Sequence, residues 1–329
     1  MTTQDPAGPG PQTAPIQDGG PQGAAPQTPG APAAGAAEPI VLYRVRFRPL
    51  GETVADRRPD SSLAQGATRV LMHFDHPRPA DAEVETLSGD SFVKLAQAPA
   101  REEETLLLFI SDRAPDQEVW RREAEAWISG EEPGEFGPPL RAGVEGGWVL
   151  WRPGRAVVLA PPDRREEMLA AVADFAFHHG ELGRLEGELS ANWAELQADL
   201  PLVHKVGRKE LRRREHVGRM TALTSGWRLQ CARLEAGLAG PPSRLSPAGR
   251  RAGEKLRALA RAEDRLERLD GQIEVYEYEY ELINQRLSDC QHFRKELIAE
   301  LVIVAILVVD MVLWVADFYF SYLAPDNGQ

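Results

Sequence analysis

The chain has 329 residues, a formal net charge of −12 and an apolar fraction of 43%, which fits an acidic folded protein with one main globular unit. The acidic balance argues against a general nucleic-acid binder, although local basic patches are compatible with it. The two cysteines, Cys231 and Cys290, form neither a disulfide framework nor a metal knuckle, and we interpret both as buried structural thiols.

Residues 1–38 are rich in Pro, Gly, Ala and Gln and contain no Lys or Arg. Such a segment has too little apolar surface to offset the entropy of ordering, so we predict a disordered tail. A Pro-rich docking peptide is the alternative, but no P-x-x-P motif stands beside a basic residue, and a plain linker is favoured. The tract also lacks the basic start and apolar core of a signal peptide.

Residues 39–160 are predicted to form a compact α+β domain. In residues 41–48 apolar side chains alternate with arginines, which indicates a half-buried strand, and residues 69–75 repeat this pattern. The continuous apolar run 105–110 is typical of a central strand. Residues 148–160 are interpreted as two strands joined at a Pro-Gly turn.

Two further segments complete this domain. Residues 117–128 are predicted to form a short helix, because Trp120, Ala124 and Trp127 recur on one side. Residues 130–147 are rich in Gly and Pro, and we predict an exposed loop there.

Residues 161–299 are predicted to be three long helices packed as an antiparallel coiled-coil region. The first begins at a capping box, Asp163–Glu166, and ends at Pro201. The second covers about 206–239. The third begins at Ser246-Pro247, which supplies an N-cap and a first-turn proline.

The third helix carries a heptad seam of apolar residues that continues in register into a long apolar segment. No Gly or Pro lies between Gln272 and Leu323, so the sequence predicts one continuous rod of about 75 residues from about residue 248. The seam packs either on the chain's own helices or on a second subunit, and both alternatives stay open. Its residues are Leu259, Leu266, Leu269, Ile273, Tyr276, Tyr280, Ile283 and Leu287.

Residues 300–323 are predicted to form a transmembrane helix. As a helix, the 23 positions from Leu301 span roughly 34 Å, against a hydrocarbon core of ~30 Å. Arg294 and Lys295 precede the span, so the positive-inside rule predicts a single-pass protein of the inner (plasma) membrane with its bulk in the cytoplasm and 324–329 as a short outer tail. The alternative is a buried core helix of a soluble protein.

Two carboxylates lie within the predicted span. Asp310 and Asp317 are seven residues apart and share one helix face, with Glu300 at the start of the span. A carboxylate at the bilayer centre costs ~2.5–3.5 kcal/mol of insertion free energy. The acidic face is also on a different side of the helix from the heptad seam, so a coiled coil through the seam would leave both carboxylates facing lipid. One interpretation is a partner helix with a polar or basic group, or a proton-linked role. The other is a hydrated Asp317 near the far interface and a protonated Asp310 bonded to a neighbouring helix. The second is favoured for Asp317, and both stay open for Asp310.

A basic face is predicted on the second helix, and it is compatible with RNA, anionic lipid or a charge match inside the chain. Pairing from a turn near 240–247 places Arg208 opposite residue 278. That point is ~30 Å from the span, against a Debye length of ~8 Å, which argues against lipid. A match with the four glutamates between 274 and 281 is favoured, and RNA or an acidic protein is the alternative. The residues of this face are Lys205, Arg208, Lys209, Arg212, Arg213 and Arg219.

The sequence carries no recognised catalytic motif: no phosphate-binding loop, GxGxxG, GxSxG, HExxH or cysteine pair at metal spacing. His178 and His179 are the nearest thing to a site. Adjacent residues on a helix point about 100° apart, so these two side chains cannot chelate one ion together without help. We assign no catalytic, cofactor-binding or metal-binding residue and predict a protein that is not an enzyme.

The C-terminal region resembles the "required for meiotic nuclear division" family, over roughly residues 105–315. The resembling residues are Tyr280-Glu281-Leu282, Asn284, Arg286-Leu287, His292-Phe293-Arg294 and Glu300, followed by the single apolar span. The resemblance implies a membrane-anchored, oligomer-forming protein without catalytic activity. It also implies a link to translation at the inner membrane, which is the role associated with mitochondrial members.

These observations predict a C-terminally membrane-anchored cytoplasmic scaffold or adaptor that needs no cofactor. Its partners are the lipid bilayer and either further copies of itself or another membrane protein. One alternative is a subunit of an ion- or proton-translocating complex that uses Asp310. Another is an RNA- or ribosome-binding tether that uses the basic face, with nucleic acid as the less favoured partner.

Overall fold

The computed structural model describes residues 40–50, 68–87, 104–129, 137–204, 210–239 and 245–323. They belong to one compact unit, Glu38–Gln329. The predicted disordered tail and the predicted outer tail 324–329 lie outside the described residues.

Seven strands form one mixed sheet. They are β1 (Ile40–Pro49), β2 (Thr68–Phe74), β3 (Ala80–Leu87), β4 (Glu104–Ser111), β5 (Leu140–Val144), β6 (Gly147–Arg152) and β7 (Arg155–Ala160). Their order is β2-β3-β1-β4-β7-β6-β5. All neighbours are antiparallel except β4 and β7, which are parallel.

The described residues also form five α-helices: α1 (Gln117–Ser129), α2 (Arg165–Asp199), α3 (Arg214–Ala239), α4 (Pro247–Leu259) and α5 (Ala262–Leu323). Short 3₁₀ turns flank them at Pro162–Arg164, Leu200–Val203 and Glu210–Arg213. The predicted mixed α+β fold with one long apolar C-terminal helix is confirmed.

The sheet is buried on both faces around β4, as its continuous apolar sequence predicts. Leu107 and Phe109 point into a core that α2 and α4 complete. Leu108 and Ile110 point to the opposite core, which α1 covers with Ala124 and other side chains. The helix over 117–128 and the hairpin over 148–160 are both confirmed.

Two strands, β3 and β5, were not predicted, because pairing with neighbouring strands outweighs the local preference of their sequences. β3 carries acidic residues at alternate positions, and Glu85 is nevertheless buried, with an oxygen 3.3 Å from a guanidinium nitrogen of Arg44. The predicted loop over 130–147 is wrong at β5, which pairs with β6 and buries Ala142.

The starts of the first two long helices also differ from prediction. The predicted capping box is wrong: Asp163 lies within a 3₁₀ turn, and the N-cap of α2 is Arg164, with no side-chain capping bond. The second helix begins at Arg214 rather than near 206. The N-cap at Ser246 is confirmed, because its hydroxyl accepts a bond of 3.1 Å from the amide of Gly249.

The continuous rod from about residue 248 is wrong. Arg261 has a left-handed backbone (φ 50°) that ends α4 and lets α5 start in a new direction. Ala252 and Leu256 of α4 pack into the sheet core rather than onto the other long helices. Leu259, the first residue of the predicted seam, is 47% exposed because the seam does not extend into α4.

The other seam residues lie in a third core, which α5 shares with α3 and the second half of α2. Two buried aromatic side chains satisfy their polar atoms in this core. The Tyr276 hydroxyl donates to the Leu189 carbonyl at 2.9 Å, and the Trp227 indole donates to Glu188 at 3.1 Å. The buried seam residues of α5 are Leu266, Leu269, Ile273, Tyr276, Tyr280, Ile283 and Leu287.

Helix α2 belongs to two cores. Its first half, from Met168 to Phe177, packs under the sheet, and its second half, from Leu182 to Leu196, packs in the helical core. The predicted domain border at residue 160 thus precedes a helix that joins both parts.

We predict that Arg261→Gly stabilises the protein by roughly 0.5–1 kcal/mol, because glycine adopts the left-handed backbone without the steric penalty of a Cβ. In a continuous helix the same change would destabilise by about that amount. Denaturant unfolding of the full chain in detergent measures the difference. Ala258→Gly, inside α4, is the control and should destabilise; a loss of stability with both variants would contradict the break.

Candidate membrane interface

Helix α5 continues far beyond the core that it helps to form. Among the side chains of α5 whose burial is described, which end at residue 319, Leu287 is the last buried one, and residues 292–319 are exposed apart from the half-buried Ala316. This stretch contains a window that is long and apolar enough to cross a membrane, and none of that window is buried. An exposed apolar surface of this extent needs lipid or another protein against it.

The predicted acidic face lies on this exposed part. Glu300, Asp310 and Asp317 are all exposed on α5. Asp289 and Glu296 precede Asp310 and Asp317 at the same seven-residue spacing, with Ile303 between the two pairs, so these acids form one stripe.

The acidic stripe points away from the helical core. At about 100° per residue, Asp289 lies about 200° round the helix from the buried Leu287. Sequence reasoning missed Asp289 and Glu296, although their heptad spacing from Asp310 was a signal that could have found them.

The predicted basic face is not a single helix face. Lys205, Arg208 and Lys209 lie outside the described residues. Arg212 and Arg213 belong to a 3₁₀ turn, whereas Arg219 lies on α3 and pairs with Glu215 at 3.8 Å. The α-helical spacing assumed for the whole run is therefore wrong at Arg212 and Arg213.

One basic residue of this run is tied to a buried carboxylate. Asp199, at the end of α2, accepts bonds from Arg213 (3.1 Å), His216 (2.8 Å) and Tyr280 (3.3 Å). Burial raises the pKa of the Tyr280 phenol, and the charge of Asp199 raises it further. This cluster joins α2, the turn before α3, α3 and α5 at one level.

The register between α3 and α5 also differs from prediction. Arg228 of α3 binds Glu277 at 2.9 Å and also contacts Asp270, and Arg214 contacts Gln291. The expected register, which set residue 208 opposite residue 278, differs by about 19 residues from the one that α3 adopts on α5. The reason is α4, which follows α3 in the sequence but packs in the sheet core. Helix α3 therefore pairs with α5, which begins at Ala262, rather than with residues from 248.

The observed register brings the basic run closer to the span than predicted. Arg214 lies beside Gln291, ten residues before Leu301, which is ~15 Å along a helix rather than ~30 Å. The predicted charge match with the glutamates at 274–281 does not hold for Arg213, which binds Asp199, and Glu277 is bound by Arg228 instead.

The described residues line two surface grooves. One, of about 530 Å³, lies at the end of the helical core; Val203, His204, Arg286, Asp289, Cys290 and Phe293 line it. The other, of about 420 Å³, lies between β5 and α4, but its cations already have partners. Arg164 and Arg251 contact Glu145, and Lys255 donates to the Gly143 carbonyl at 2.6 Å.

The two cysteines differ. Cys231 is buried in the helical core, and burial raises the pKa of its thiol to about 11. Cys290 is only half-buried, beside the larger groove, so the expectation that both thiols are buried is wrong for this residue. The cause is its position one turn beyond Leu287, where α5 leaves the core.

His178 and His179 have separate surroundings, as their angular separation predicts. The Nδ1 atom of His178 lies 2.9 Å from the Asp174 carbonyl, whereas Nε2 of His179 accepts from Arg265 at 2.8 Å. Within the described ranges, no three His, Cys, Asp or Glu side chains converge as a metal site requires.

No protein-family profile and no curated protein matches this chain. A solved structure of the full-length CmaX protein is similar over 74% of this chain and 84% of that one, with 15% sequence identity and a TM-score of 0.29. Neither value supports the transfer of a function.

Acid should destabilise the junction between the two halves of α2 through His179. Burial, followed by the charge of Arg265, lowers the pKa of His179 to about 4. The unfolded chain binds this proton near pH 6.5, so the contribution is complete above pH 6.5 and is lost as the pH falls towards 4. By pH 5 the loss is on the order of 2 kcal/mol.

We predict that His179→Gln, which keeps an acceptor for Arg265 but does not titrate, loses less stability than the wild type between pH 7 and pH 5. Denaturant unfolding of the full chain in detergent at both pH values measures this. His292→Gln, at an exposed histidine, is the control and should behave as the wild type. Equal acid sensitivity in all three proteins would contradict the assignment.

Proposed function

We propose that the chain is a non-catalytic scaffold or adaptor, anchored in the inner membrane by α5 with its folded part in the cytoplasm. The observation that carries this proposal is the division of α5. Its first part, up to Leu287, packs in the helical core, and its second part is exposed on all sides and apolar. Because one helix forms both parts, the helical core is joined directly to the segment that contacts lipid or a partner protein.

The cytoplasmic orientation rests on the charges beside the span. Arg294 and Lys295 precede Leu301, and cations are retained on the cytoplasmic side of bacterial and inner-membrane spans. The resemblance to the "required for meiotic nuclear division" family agrees with this orientation and with a role in assembly rather than catalysis.

We further propose that α2, α3 and α5 act as a three-helix antiparallel coiled-coil region that holds the sheet away from the bilayer. The seven buried seam residues of α5 support this arrangement, because they recur at intervals of three and four against α2 and α3. With the seam occupied inside the chain, any further partner must bind elsewhere.

The acidic stripe is the surface we propose for that partner, which is a second copy of this chain or another membrane protein. Asp310 lies on the side of α5 away from the seam. A lipid-facing carboxylate at this depth costs ~2.5–3.5 kcal/mol. A neighbouring helix with a polar group removes part of that cost.

A subunit of an ion- or proton-translocating complex is the second candidate function. Asp310 and Asp317 on one face favour it, because intramembrane carboxylates mark proton and ion pathways. The two candidates differ in what they need from Asp310. A translocation role needs an ionisable group, whereas a packing role needs only a hydrogen-bonding one.

We predict that Asp310→Leu leaves the chain in the membrane after carbonate extraction but weakens the complex by roughly 3- to 30-fold, as loss of an interhelical hydrogen bond of 0.6–2 kcal/mol implies. Asp310→Asn should retain association. The mass of the complex in mild detergent, measured over a dilution series, reports both.

Val308→Leu, on another side of α5, is the control and should leave the complex unchanged. An unchanged complex with Asp310→Leu would rule out a partner on the acidic stripe. If both Asp310 variants assemble normally but lose ion- or proton-dependent transport in vesicles, the second candidate function is the correct one.

We also predict that crosslinking of intact membranes captures the same partner with and without RNase, because the proposed contact is between membrane helices. Mass spectrometry of the crosslinked products identifies it, and the Asp310→Leu chain is the control. Ribosomal proteins that disappear on RNase treatment would instead support the RNA-tether alternative.

A further inference from the structure

Four basic residues lie near the level at which the helical core ends and α5 continues towards the span. Arg212 lies in the exposed 3₁₀ turn before α3, and Arg214 is the first residue of α3 and contacts Gln291. Arg294 and Lys295 follow on α5, and all four side chains are exposed. We call Arg212, Arg214, Arg294 and Lys295 the basic corner.

The charges around α5 are segregated at this level. Arg294 is seven residues after the buried Leu287, and Lys295 is four after Gln291, so both lie on the side of α5 that carries the core. Glu296 is about 180° round from Leu287 by the same rule and belongs to the acidic stripe. The basic corner thus opens beneath the core, and the nearby acids point away from it.

The acid that follows Arg214 in the sequence has a partner of its own. Glu215 follows Arg214 on α3 and pairs with Arg219 at 3.8 Å. The cation between the two arginines of the corner, Arg213, is bound to Asp199 and is not counted in it.

The corner lies within reach of a lipid headgroup layer. Arg294 is seven residues before Leu301, ~10 Å along the helix, and Arg214 is at the level of Gln291, ~15 Å away. The interfacial layer adds ~5–7 Å to each side of the hydrocarbon core, and the Debye length is ~8 Å. The side chains of Arg and Lys also extend towards the headgroups.

We propose that the basic corner binds the phosphates of anionic phospholipids in the leaflet that faces the core. This inference rests on the proposed membrane anchoring of α5. Contact with the leaflet at two places, on α5 and on the turn before α3, fixes the core against the bilayer surface. The helical core then has a set angle and height above the membrane instead of swinging on a single helix.

Lipid is favoured over RNA by the position of the corner. The surface opens towards the bilayer, and the two α5 cations are at the level where anionic headgroups lie once the span is inserted. A chain of net charge −12 also repels RNA over most of its surface, whereas a lipid surface meets only the end of the core.

The test uses the full chain in nanodiscs of equal parts phosphatidylglycerol and phosphatidylcholine. Native mass spectrometry counts the lipids of each class that stay bound when the disc is removed. We expect roughly fivefold enrichment of phosphatidylglycerol on the wild type, the effect of about one cation near an anionic surface. Arg212→Gln, Arg214→Gln, Arg294→Gln and Lys295→Gln together should return the ratio to one.

A matched control removes four exposed arginines elsewhere: Arg113→Gln, Arg122→Gln, Arg251→Gln and Arg268→Gln. It carries the same net charge as the first variant and should keep the enrichment. Arg212→Lys with Arg214→Lys should also keep it, because the attraction depends on charge. Circular dichroism of each variant shows that the fold is retained.

Several results would overturn the proposal. A wild-type ratio of one, or equal losses in the corner variant and the control, would do so. So would RNA that co-purifies with the wild type and is lost from the corner variant in the absence of lipid enrichment. Carbonate extraction of cell membranes that contain the chain separates failure of the membrane anchor from failure of the lipid contact. A chain that washes out refutes the anchor, whereas a retained chain without phosphatidylglycerol enrichment refutes only the lipid contact.

Discussion

The left-handed backbone at Arg261 is the constraint on which the rest of this structure depends. It turns a stretch that would otherwise be one helix into two, and each of the two packs in a different core. Helix α4 closes the sheet core with Ala252 and Leu256, and α5 closes the helical core. The register of α3 on α5, and with it the level of every charged residue near the span, follows from this one bend.

Ion pairs on both sides of the bend hold it in place. Four residues before Arg261, Arg257 binds the fully buried Asp174 at 2.6 Å; four residues after it, Arg265 binds Glu186 at 2.6 Å. Both carboxylates belong to α2, the helix that joins the two cores. Loss of Arg257 would leave the charge of Asp174 buried and without compensation, so this pair fixes the geometry of the bend.

Local patterns in the sequence predicted most strands, the long helices and the buried seam from Leu266 to Leu287, because apolar periodicity reports burial directly. The bend could not be predicted, since Arg261 carries no Gly, Pro or Asn signal and only packing on the sheet favours its backbone. The position of Glu300, Asp310 and Asp317 on the side of α5 away from the seam follows from helix geometry alone. The basic corner does not, because it joins α3 to α5 through a register that the bend decides.

The insertion free energy of the predicted span, residues 301–323, is small because its apolar and acidic residues oppose each other. Residues 301–323 contain fourteen Leu, Ile, Val and Phe residues, worth roughly −4 to −8 kcal/mol on insertion scales. Asp310 and Asp317 would together cost up to about 5–7 kcal/mol at the centre of the bilayer, so an isolated span is close to balance. Contacts with a partner helix or with lipid headgroups therefore decide how firmly it is held. A partner helix on the acidic stripe lowers the free-energy cost of the carboxylates. On the opposite side of α5, headgroups bound at the basic corner also stabilise the inserted state.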